Sequence, residues 1–64
     1  MIRLTRLNGR PFVINSEQIK TVEETPDTMI TLLGGEQVLV LEPMDEVVKR
    51  AVVYARDIRS FQPN

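Results

Sequence analysis

Three local signals point to an α+β fold, with about five short antiparallel strands followed by one C-terminal amphipathic α-helix. Asn8-Gly9 is the strongest two-residue hairpin signal, because both positions tolerate the positive φ of a type I′ turn. Gly34-Gly35 repeats that signal between two runs of aliphatic and β-branched residues. Beyond Glu42 the apolar residues change from strand-like spacing to the ~3.6-residue period of a helix.

Ile2 to Leu7 forms the first expected strand, free of breakers, and Arg10 to Ile14 returns after Asn8-Gly9. Pro11 lacks an N–H, which places this second strand at an edge or starts it after the proline. Asn15-Ser16-Glu17-Gln18 reads as a polar turn or a single helical turn capped by the Asn15 side chain. Ile19 to Glu24 is the third strand, and Thr25-Pro26-Asp27-Thr28 suits a type I turn with Pro26 presetting φ. Met29 to Leu33 and Glu36 to Leu41 are the fourth and fifth strands.

Glu42-Pro43-Met44-Asp45-Glu46 opens the helix, with proline near the first turn and acids at the positive end of the dipole. Met44, Val47, Val48, Ala51, Val52, Tyr54, Ala55, Ile58 and Phe61 then recur at helical spacing. Asp45–Lys49 and Glu46–Arg50 stand as i,i+4 pairs in the favourable order. The expected domain is therefore a single unit over residues 1–61, with a disordered tail at 62–64.

A two-residue Gly34-Gly35 loop would set Leu33 opposite Glu36 and Thr31 opposite Val38. One hairpin face then carries Ile30, Leu32, Leu39 and Leu41, and the other Met29, Leu33, Val38 and Val40. Both faces are apolar, whereas an antiparallel sheet with one wet face alternates. One helix covers one face, so the other is expected to be covered by barrel closure or by another copy of the chain. The apolar arc of the helix spans about half its circumference, and Val53 lies outside it among Glu46, Lys49, Arg50, Arg56 and Asp57. A chain of 64 residues buries only ~60% of the surface its unfolded form exposes, which also favours association. Self-association is expected through Met29, Leu33, Val38, Val40, Val48, Val52 and Val53.

Composition narrows the chemistry. With no cysteine and no histidine, disulfides, Cys/His zinc sites and Cys- or His-based catalysis are excluded. Ser16, Ser60 and the threonines have no activating base, and Glu23 and Glu24 point to opposite faces of a strand and cannot share a proton. Gly34-Gly35 lacks the strand–glycine-loop–helix context of a phosphate cradle. No catalytic site, cofactor or metal is expected.

The net charge of −1 gives no basic field for nucleic acid or anionic lipid. Phe12, Tyr54 and Phe61 are too few for a base-stacking platform. Arg3, Arg6 and Arg10 lie on the first hairpin. An Asn8-Gly9 loop puts Arg3 and Arg10 on one face and Arg6 on the other, so they read chiefly as solubilising charge. These three and Arg56 are the candidates for contact with an external partner.

The start of the chain carries no signal-peptide pattern, and no unbroken apolar run, Val38 to Leu41 included, approaches the length of a membrane span. A cytoplasmic location is the expectation. The helix has only a slight positive excess on its polar face, so core packing is expected over docking on a membrane surface.

Ile-x-Leu-Thr-Arg-Leu-Asn-Gly at 2–9, Val-Ile-Asn at 13–15 and Val-Glu-Glu-Thr-Pro-Asp-Thr at 22–28 resemble the FlbD/SwrD family. Ile-Thr-Leu at 30–32, Gly35 and Glu-Val-Val at 46–48 extend the resemblance over nearly the whole chain. Pro43 departs from it, where members often carry a charged or small polar residue. The resemblance implies a small, non-catalytic cytoplasmic protein, peripheral to the flagellar basal body, that supports flagellar function and swarming through contact with the motor and its stator units. The alternative is the carbon storage regulator family of RNA-binding dimers, similar in its opening residues, length and element order. Its Ala-Pro and Val-His-Arg-Glu-Glu before the helix are replaced here by Leu-Glu-Pro-Met-Asp-Glu.

Overall fold

The computed structural model describes residues 1–60, with side chains as far as Asp57. Its elements are β1 (Ile2–Thr5), β2 (Pro11–Ile14), a 3-10 turn (Ser16–Gln18), β3 (Ile19–Glu24), β4 (Thr28–Leu32), β5 (Gln37–Val40) and α1 (Met44–Ser60). The side chains of Ile58, Arg59 and Phe61 and the expected tail at 62–64 lie outside the described residues.

β1 and β2 form one antiparallel pair, and β3, β4 and β5 form a three-stranded antiparallel sheet in that order. A single bridge between Arg6 and Val40 links the two, and the Leu41 N–H donates to the Thr5 carbonyl at 2.9 Å. The strands do not close into a barrel.

Both glycine hairpins form, each with one more loop residue than expected. The Gly9 N–H donates to the Arg6 carbonyl and the Arg6 N–H to Arg10, both at 2.9 Å, enclosing Leu7-Asn8-Gly9. The Gly35 N–H donates to Leu32 at 2.9 Å and the Leu32 N–H to Glu36 at 2.8 Å, enclosing Leu33-Gly34-Gly35. These are three-residue loops ending in a glycine of positive φ, +88° at Gly9 and +98° at Gly35.

That extra residue slips each register by one and exchanges the faces. Thr28 pairs with Val40, Met29 with Leu39 and Ile30 with Val38. The inner face is therefore Thr28, Ile30, Leu32, Val38 and Val40, and the outer face mixes Met29, Thr31, Gln37 and Leu39. The expected hairpin with two apolar faces is thereby corrected: it alternates, and Val40 lies in the core at 1% exposure. In the first hairpin Arg6 and Arg10 share a face and Arg3 takes the other, again a correction.

The Asn15 side chain caps the short turn, accepting from the Glu17 N–H at 3.0 Å. The Thr25–Pro26 peptide is cis, in place of the expected type I turn. A register irregularity between Ile19 and Thr21 lets Ile19 join Val22 on the inner face.

Ile2, Leu4, Ile14, Ile30, Val40 and Val47 form the buried core. Phe12, Ile19, Val22, Leu32, Val38 and Tyr54 pack around it. α1 lies against β1 and β3. Among its described side chains only Val47 is fully buried; Tyr54 packs against the core, and Val48 and Val52 overhang the small sheet.

Candidate interaction surface

The start of α1 is held by groups from distant parts of the chain. The Met44 N–H, one of the donors a helix leaves unpaired at its first turn, donates to Glu24 Oε1 at 2.9 Å. Immediately before the helix, Glu42 accepts from the Thr5 N–H at 3.0 Å and from Thr5 Oγ1 at 2.8 Å. Arg50 closes the arrangement: its Nε donates to Glu46 at 2.8 Å, and its Nη1 to the Arg3 carbonyl at 2.6 Å and to Glu42 at 3.4 Å. Of the two expected i,i+4 pairs, Glu46–Arg50 forms and Asp45–Lys49 does not meet.

The Glu42 side chain is only 12% exposed. Burial is the largest single influence on its carboxyl and pushes the pKa up. The two bonds from Thr5, its own N–H and the Arg50 guanidinium together outweigh that, and the pKa sits below the ordinary value. These groups can orient and fasten a helix. They gather no pair poised to exchange a proton, and among the described residues no cluster of three or more metal-ligating side chains occurs.

The β3-side flank of α1 is different. Val48 and Val52 are 47% and 49% exposed, and Ala55 follows them on the same stripe. Between this stripe and the sheet runs a shallow groove lined by Ser16, Ile19, Val22, Val47, Val48, Ala51, Val52 and Ala55. Ile19, Val22 and Ala55 carry no local mark of such a role; only the strand irregularity that turns Ile19 inward brings them together.

Val53 is 43% exposed on the opposite flank, in a cleft with Met1, Arg3, Glu46, Lys49, Arg50 and Asp57. The remaining residues expected to self-associate are scattered. Leu33 is at a loop tip, 60% exposed; Met29 is half-buried on the outer sheet face; Val38 packs on the core; Val40 is inside it. The structure thus brings Val48 and Val52 together at the surface, turns Val38 and Val40 to the inner sheet face, and sets Met29, Leu33 and Val53 apart.

The arginines are likewise dispersed. Arg6 stacks over the Phe12 ring with 4.3 Å to its centroid, a cation–π contact that screens an aromatic edge of the core. Arg10 is exposed beside the loop, its N–H bonded to Asn8 Oδ1 at 3.0 Å. Arg3 is exposed on the other face and Arg56 on the solvent side of α1. No helix among the described residues is long and apolar enough to cross a membrane.

No characterised protein and no solved structure gives a significant match to the chain. A family model does: residues 1–59 match FlbD, described as flagellar and swarming motility proteins. The match takes in both glycine hairpins, the groups that anchor the helix and the exposed valine stripe, and the chain belongs to the FlbD family of flagellar and swarming motility proteins.

Proposed function

We propose that this FlbD-family chain is a non-catalytic accessory to flagellar motility, acting through protein–protein contact on the β3-side flank of α1. Its partners are a flagellar motor component, with the stator as the first candidate, and further copies of the chain. It works in the cytoplasm at the periphery of the basal body. The supporting observation is the stripe of Val48, Val52 and Ala55 over a groove lined by Ile19 and Val22. A small domain that leaves such a stripe uncovered beside a firmly anchored helix start presents a ready apolar surface to a partner.

The experiment is complementation of a strain lacking the protein with the Val48→Asp/Val52→Asp double variant, its fold checked by circular dichroism. Swarming is expected to be lost while the chain stays folded; normal swarming by the folded variant would overturn the proposal. The dispersed arginines are the weaker surface, and reversing Arg6 and Arg10 together is expected to leave swarming closer to normal.

A further inference from the structure

We infer that the occupant of the β3-side flank is a second copy of this chain, packed helix against helix in antiparallel fashion about a two-fold axis near Ala51 and Val52. The inference rests on the proposed use of this flank as a contact surface and adds the partner and its orientation.

Charge complementarity carries it. At roughly 100° per residue from Val47, the stripe residues Val48, Val52 and Ala55 fall at about 100°, 140° and 80°. Asp45 and Arg56 fall beside them on the solvent edge, at about 160° and 180°. A two-fold axis perpendicular to two antiparallel helices sets this edge of one against the same edge of the other, with heights inverted. The centre that brings Val48 opposite Ala55 lies within one residue of the centre that brings Asp45 opposite Arg56. One alignment therefore closes the apolar stripe and forms the Asp45–Arg56 pair twice.

Asp45 and Arg56 are both exposed, and neither has an ion-pair partner among the described residues of its own chain. Antiparallel packing also sets Asp45, in the acidic first turn, against the C-terminal half of the partner helix and opposes the two dipoles. A parallel pair would set Asp45 beside Asp45 and Arg56 beside Arg56. Val53, on the opposite flank, takes no part.

The test is sedimentation equilibrium on the full chain across a concentration series. The expected mass is twice 7.3 kDa. Asp45→Arg and Arg56→Asp singly each place like charges together and are expected to weaken association by about tenfold. The double swap Asp45→Arg/Arg56→Asp restores it. Because the chain has no cysteine, Val52→Cys provides a clean second reading: it crosslinks to itself under oxidation, while Val53→Cys does not.

A monomer throughout the series overturns the inference, as does a dimer that the double swap fails to restore. A monomer accompanied by loss of swarming in Val48→Asp/Val52→Asp would leave the flank as a contact for another protein, so the two proposals fail separately.

Discussion

The two sides of α1 meet the sheet in different ways. At its start, three carboxylates, a threonine and an arginine tie the helix to β1 and to the end of β3 with directional bonds. Along the β3-side flank there are only aliphatic side chains, and the outermost remain about half exposed. Directional bonds fix the position of an element; a bare aliphatic surface leaves it free to accept a partner at little desolvation cost. The contrast separates what holds the fold from what is open to contact.

Substitutions sharpen that contrast in a definite order. Leu4→Ala removes a fully buried core side chain and is expected to cost about 2–5 kcal/mol, a large share of the roughly 3–10 kcal/mol available to a domain this small. Urea denaturation should show a greatly lowered midpoint or an unfolded chain. Glu42→Ala strips both acceptors from Thr5 and is expected to cost about 1–3 kcal/mol in the same measurement.

Acid should imitate that loss. The Glu42 carboxyl has a lower pKa folded than unfolded, so its contribution is complete above the unfolded value and disappears as pH falls through the folded one. The stability gap between the native chain and Glu42→Gln, read from thermal melts, should be wide near neutrality and narrow below the ordinary carboxylate range. Glu24→Ala frees the Met44 N–H and should cost about 0.5–1 kcal/mol. Val52→Asp should shift the unfolding of the monomeric chain, read at concentrations below those at which it associates, by less than about 0.5 kcal/mol. A large loss there would mean that the flank belongs to the core after all.

The helix and the strands are legible from spacing because burial on one face leaves a periodic record. The hairpins are legible in place but not in register. Asn8-Gly9 and Gly34-Gly35 serve equally well in a two-residue loop or as the end of a three-residue loop, and core packing, not the turn itself, selects between them. That single residue decides whether Val40 faces inward or outward. The helix anchors leave no local trace at all: Glu24 reaches across 20 positions to Met44, and Glu42 across 37 to Thr5. Nor does strand alternation foretell the groove, since Ile19 joins it through the irregularity before Thr21. Val48 and Val52 were readable as part of a helix arc too wide for one small sheet to cover.

The fastening of the helix start also bears on synthesis. Thr5, the Arg3 carbonyl and Glu24 all precede Met44 in the chain, so each mooring leaves the ribosome before the segment it secures. Every group outside the helix that receives its first turn is therefore made before the turn itself.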